Sequence, residues 1–200
     1  MLPYAFMRHS LILFVSLFLL AACSGGKTDP VREAIKGEIL GNMFQDFTSV
    51  EIFSVEKIDS TTFRTELDRR KKAFTTKRDA DSEFLIKYMN EGKRRNAAIK
   101  NESYKNDLRI LNGLDSLGTV HAAILDDIAY YDYRFNAKAK GKDVTMQFRD
   151  TYISITPDGK VISMAAERRD LHKSAGRVIP GYYELVKGAD EEEESEESEE

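Results

Sequence analysis

The chain is poor in the residues that most often carry chemistry. Its 200 residues include a single cysteine, Cys23, and three histidines. One thiol cannot close an internal disulfide, so cysteine-based metal sites and dithiol redox chemistry are excluded by count. His121 and His172 stand far apart, and neither has a partner at a zinc-ligand spacing. No glycine-rich loop ends in lysine, no dinucleotide fingerprint is present, and no serine sits in a nucleophile-elbow context. Long apolar runs are missing as well. The longest, Leu11 to Leu20 interrupted only by Ser16, falls short of the roughly 20 residues that a membrane-spanning helix needs. Neither a cofactor nor a resident metal is expected, and an enzyme is the less favoured reading.

That short apolar run has a definite context. Arg8 precedes it, Ala21 and Ala22 follow, and Cys23 comes next. The charged start, the apolar stretch of this length and the small residues fit a secretory signal peptide. Leu20, Ala21, Ala22 and Cys23 resemble the lipobox of bacterial lipoproteins. The resemblance implies a diacylglyceryl group on the Cys23 sulfur, cleavage between Ala22 and Cys23, and acylation of the new amino terminus. Each buried methylene contributes about 0.8 kcal/mol and a single chain binds only marginally, so the two or three chains on such a residue make a stable anchor. Ser24 stands where inner-membrane retention in that family goes with aspartate, and no acidic cluster of the surface-export kind follows. The resemblance therefore implies the outer membrane and its periplasmic face.

Composition suits one soluble domain beyond that anchor. Apolar residues make up 42% of the chain and charged residues 32%, enough for a core and a wet surface. Charge is unevenly distributed. Asp190 to Glu200 holds nine acids and no base, while the segment from Cys23 to Ala189 carries 29 bases against 25 acids. An acidic block of this kind buries no apolar area and is expected to be disordered. The organisation expected is a signal peptide over 1–22, a lipidated linker over 23–28, one domain over 29–187 and an acidic tail over 188–200.

Within the domain, Asp29 before Pro30 starts a short helix that Gly41 could end. Phe47 to Ile58 reads as a strand, with Val50 and Ile52 on one face and Phe53 and Val55 on the other, hence an interior or doubly covered strand. From Asp59 to Gly113 the pattern is helical. Phe63, Leu67 and Phe74 share a face, a polar turn is expected over 75–81, and Ala97, Tyr104, Leu108 and Leu111 form a second stripe. Gly92 interrupts that second segment, and Gly113 and Gly118 bracket its exit. Ala122 to Ala166 alternates as a sheet. Tyr131, Tyr133, Phe135, Ala137 and Ala139 take the packed side, and Asp132, Arg134, Asn136, Lys138 and Lys140 the wet one. The phase changes between Phe148 and Ile153, which predicts a bulge near Asp150 and Thr151. Tyr182, Tyr183, Leu185 and Val186 read as a closing strand or a docked segment. The fold class expected is α+β, with N-terminal helices packed on a curved antiparallel sheet. The order of elements is similar to cystatin-like and NTF2-like cones, a likeness that carries no function.

Two polar groupings invite a functional reading. Asp126, Asp127 and Tyr131, beside Tyr130, Asp132 and Tyr133, could form a carboxylate and aromatic ligand site at a strand end. Their strict alternation favours instead a strand start with wet acids and packed tyrosines, and they lack the spacing of a calcium loop. The helical stretch from Arg64 to Arg109 holds 14 bases against eight acids, clustered at Arg69–Lys72 and Lys93–Arg95. It reads either as a solvated surface or as a face for lipid headgroups, polyanionic glycans or the acidic tail. Nucleic acid is not expected as a partner. Three functions follow: a tethered module that binds envelope proteins or polymers, an enzyme or enzyme accessory acting on envelope polymers or glycans, and a charge-responsive module governed by the tail.

Overall fold

The computed structural model describes residues 29–42 and 46–187. The expected signal peptide over 1–22, Cys23, the expected linker and the acidic segment over 188–200 lie outside the described residues. The order is α1 (Pro30–Asn42), β1 (Phe47–Thr62), α2 (Phe63–Asn90), α3 (Arg94–Val120), β2 (Ile128–Gly141), β3 (Thr145–Ile155), β4 (Val161–Ala165) and a single-turn α4 (Arg168–Leu171). A last helix, α5, covers 182–187. The strands form one antiparallel sheet in the order β1-β2-β3-β4. The α+β class is therefore what the chain adopts. No helix of the described residues is long and apolar enough to cross a membrane.

Helix α1 covers the packed face of the sheet. Asp29 Oδ1 accepts from the Val31 amide at 3.0 Å, capping the start as its sequence suggests. Ile35 and Ile39, one turn apart, are fully buried against Phe135, Ala137, Ala139 and Ile153. Each such isoleucine contributes about 1.5–3 kcal/mol by leaving water.

Two bulges set which residues reach that core. In β3 the pairing skips from Phe148 opposite Ala137 to Thr151 opposite Phe135, the slip expected from the change of phase. Asp150 takes φ 46°, a left-handed conformation that aspartate tolerates better than most side chains. The slip returns Ile153 and Ile155 to the face that Phe148 already occupies. In β1 the partners skip from Ile52–Ala137 to Ser54–Asn136. Phe53 is the extra residue. Val55 therefore joins Val50 and Ile52 against the core, and Phe53 stands alone on the outside, which corrects the expected two-faced pattern. β1 is also an edge strand rather than an interior one.

Strand β1 runs on past Ile58 to Thr62, so Asp59 to Thr61 are strand residues and Thr62 alone caps α2, accepting from the Thr65 amide at 3.2 Å. Helix α2 passes straight through 75–81, where a turn was expected. That stretch holds no glycine or proline, and its polar residues reach the neighbouring helix instead of a turn: Lys77 donates to Asp107 and Asp81 accepts from Lys100, each at 2.7 Å. The chain reverses at Gly92, whose φ of 70° suits glycine. Helices α2 and α3, of 28 and 27 residues, thus form a hairpin about 40 Å long at about 1.5 Å per residue.

Helix α3 buries Ala97, as expected, together with Asp107, Ile110 and Leu114; Tyr104, Leu108 and Leu111 of the expected stripe are only half-buried. Ile110 and Leu114 meet Leu67 and Ile179 near the base of the hairpin. Gly113 and Gly118 lie inside α3. A Cβ at Gly113 would strike Leu185, and one at Gly118 would come 3.0 Å from Leu67, so both glycines mark close approaches rather than an exit. Through Leu185 and Tyr182, α5 docks on the hairpin as a helix, not a strand.

Candidate functional site

The residues singled out at the start of β2 do not converge. Asp126 is exposed and holds Arg64 through Nε and Nη2 at 2.8 and 3.1 Å. That hydrogen-bonded guanidinium keeps the Asp126 carboxyl below its ordinary range. Asp127 is exposed, and its carbonyl accepts from the Phe63 amide at 3.2 Å. Tyr131 is half-buried on the sheet, with Lys57 Nζ 3.7 Å from its ring centre and Tyr133 edge-on. The two acids and the backbone around them fasten the start of α2 to the turn before β2.

Asp132, expected to face water, is fully buried. The reason is a second layer. Residues 168–187 and the first turns of α2 cover the opposite face of the sheet at this end, which sequence alternation within β2 cannot reveal. A polar network fills the interface. Ser154 Oγ donates to Asp132 Oδ1 at 2.6 Å, and His172 Nε2 lies 3.4 Å from Asp132 Oδ2. His172 Nδ1 is 3.2 Å from the Tyr130 hydroxyl, which donates to Glu66 Oε2 at 2.8 Å. Glu66 is completely buried and takes Arg69 Nη1 at 2.5 Å and Arg70 Nε at 2.6 Å. Arg70 then reaches the carbonyl of His172. Gly176 leaves room for this packing, because a Cβ there would come 2.7 Å from Tyr182 and 2.8 Å from Arg70.

The network ties α2, β2, β3 and the C-terminal segment together; both Glu66 oxygens take donors, whereas Asp132 Oδ2 accepts no hydrogen bond among the described residues. Burial pushes the Tyr130 hydroxyl well above its ordinary value, so it stays a protonated donor. Burial lowers the His172 pKa from 6.5; Asp132 and Glu66 pull the other way, while Arg69 and Arg168 add to the fall. A lowered folded-state pKa means that the unfolded chain binds the proton more readily. The stability that neutral His172 contributes is present above about pH 6.5 and is lost as pH falls below it. Urea midpoints measured from pH 8 to pH 5 should decline for the wild type and flatten for His172→Gln. Parallel curves would remove this account.

The outer face of the sheet holds a different arrangement. The two bulges flank the same residue of β2, Asn136, whose side chain bridges them. Its Nδ2 donates to Ser54 Oγ at 3.0 Å, and its Oδ1 accepts from the Asp150 amide at 3.0 Å. Between them opens a concavity of about 370 Å³ lined by Phe53, Asn136, Lys138, Gln147, Arg149 and Asp150, among others. Phe53 is 57% exposed, an aromatic ring held out of the core by its bulge. Arg149 rests on Gln147 Oε1 at 3.1 and 2.7 Å, which fixes the guanidinium on this face. The chemistry on offer is an exposed phenyl ring beside two cations, two amides and a carboxylate, with no serine, cysteine or histidine in the lining. Bulges and left-handed non-glycine residues gather where a side chain has been re-aimed for a purpose.

The chain matches no family model, no curated protein and no solved structure. Its own geometry is therefore what bears on function. No group of three or more histidine, cysteine or acidic residues among the described residues could hold a metal ion. Sequence reasoning passed over Phe53 and Asn136 although a signal was present. Val50, Ile52, Val55 and Ile58 are spaced two, three and three apart, which is a strand pattern broken by extra residues.

Proposed function

We propose that this protein is a lipid-tethered, non-catalytic binding module of the cell envelope. Cys23 would hold it to the periplasmic face of the outer membrane, and the concavity beside Phe53 would receive an envelope component. The anchor rests on the lipobox resemblance of Leu20 to Cys23. The binding site rests on one observation: paired bulges, braced by Asn136, hold an exposed phenyl ring over a concavity with fixed polar groups. The reading that makes Asp126 and Asp127 catalytic gains nothing from the geometry, since Asp126 is spent on Arg64.

Two measurements test the two halves separately. Intact mass of the native protein should show acyl chains on Cys23, and Cys23→Ser should move it from the detergent phase to the aqueous phase. An unmodified, water-soluble wild type would end the tethering reading. Quantitative capture from solubilised envelopes should then lose its specific components about tenfold with Phe53→Ala, the loss of about 1.4 kcal/mol expected for an aromatic contact. Identical capture by both proteins would exclude the concavity as the binding site.

A further inference from the structure

The α2–α3 hairpin carries more bases than its own acids neutralise. Most of its acids are spent inside it. Glu66 holds Arg69 and Arg70, Asp81 holds Lys100, Asp107 holds Lys77, Glu91 holds Lys93 and Glu102 holds Lys105. Arg94 and Arg95, exposed at the start of α3, form no ion pair with any described residue, and Lys87 stands exposed on α2 close by. From Arg64 to Arg109 the bases number 14 and the acids eight.

The C-terminal helix aims the chain at this surface. Gly181 sits against Leu117, with 3.0 Å between a Cβ built there and that leucine; Leu185 packs over Gly113, and its carbonyl accepts from Arg109 Nη2 at 3.1 Å. Helix α5 therefore travels along α3 from residue 117 toward residue 109, in the direction of the hairpin's distal end. The described chain stops at Lys187, and nine acids lie between Asp190 and Glu200. Arg109 and Arg94 are about 22 Å apart along the helix at about 1.5 Å per residue. Thirteen residues, 188–200, reach about 43 Å when extended at about 3.3 Å each. The tail has the length, the starting point, the heading and the opposite charge.

We propose that the acidic segment 190–200 docks in cis along the distal half of the α2–α3 hairpin, covering Arg94 and Arg95 and running past Lys87, Lys100 and Lys105, the last two of which Asp81 and Glu102 already hold. Attachment beside the target gives the segment a local concentration in the millimolar range, so weak individual contacts suffice. Because the surface is exposed, the contact is salt-dependent and yields to other polyanions. The tail thus acts as a built-in competitor for anything anionic that approaches the hairpin.

Zero-length carbodiimide cross-linking of the full chain, read by peptide mass spectrometry, tests this. At low salt, glutamates 191–200 should join Lys87, Lys100 and Lys105 in clear excess over Lys138, Lys140 and Lys142 of the sheet, and 1 M salt should reduce those links several-fold. The double reversal Arg94→Glu, Arg95→Glu alters two exposed side chains, so circular dichroism should confirm an intact fold while the hairpin links fall several-fold. Links spread evenly over all lysines, no links at all, hairpin links unchanged in the reversed variant, or links joining an isotope-labelled copy to an unlabelled one would each overturn docking in cis.

Discussion

Glu66→Ala is expected to lower stability by about 3–5 kcal/mol, the range found when one partner of a buried ion pair is removed and the other charge is stranded. Glu66 has no exposed surface, and three donors converge on its two oxygens: Arg69, Arg70 and the Tyr130 hydroxyl. Without it, Arg70, whose side chain is only 14% exposed, keeps the His172 carbonyl as an acceptor but loses its counter-charge. Arg69 is less stranded, since its outer part meets water. Glu66→Gln preserves the shape and one acceptor and should fall between the two. Urea unfolding at pH 7 decides the matter, and a loss below about 1 kcal/mol would place Glu66 among ordinary surface pairs.

The opposite sign is expected at Asp107. This carboxylate is fully buried between the long helices, has Lys77 at 2.7 Å on one oxygen and no donor among the described residues on the other. Asp107→Leu would extend the Ile110 and Leu114 stripe by one turn and remove a desolvated charge. Replacing a whole buried ion pair by apolar side chains is neutral or stabilising by about 1–4 kcal/mol, and here the partner left behind, Lys77, is half-exposed and keeps its hydration, so the same sign is expected. Lys77→Ala leaves the same carboxylate buried with no partner and should cost about 1–3 kcal/mol. A raised urea midpoint for the leucine variant beside a lowered one for the alanine variant is the expected pair of results. Asp107→Leu falling as far as Lys77→Ala would show that the ion pair itself holds the hairpin. Asp81 makes a parallel case: burial pushes its carboxyl up, but hydrogen bonds from Lys100 and Ser103 outweigh that and hold it below its ordinary range.

These buried charges also explain what was legible in the sequence and what was not. Alternation and phase are local, so the antiparallel sheet, its packed residues from Phe135 to Ala139 and the slip beside Asp150 could be read from the chain alone. The cap at Asp29 was equally plain. Burial of a charge depends on a partner distant in sequence. Asp132 was read as wet because the layer that covers it arrives some 40 residues later, with His172. Asp107 breaks the apolar stripe of α3, so beyond Ala97 the apolar spacing points one residue past the side chains that are buried. The polar stretch 75–81 has the composition of a turn, because the residues that make it a helix surface find their partners across the hairpin. At Phe53 the strand's apolar spacing did hold the signal, but an edge-strand bulge becomes visible only when the spacing of three is taken as an insertion rather than a change of face.

Strand β1 passes into α2 without a single intervening residue, Thr62 ending one and capping the other. The hairpin is thus a lever welded to the sheet's margin, with no joint to absorb rotation. A pull on its far end is borne in shear by the β1–β2 ladder, and the places along that ladder with the most give are its register slips. The slips nearest the rod are at Thr61/Thr62 and Lys57/Asp59, so traction would be taken up there before it reached the one that displays Phe53.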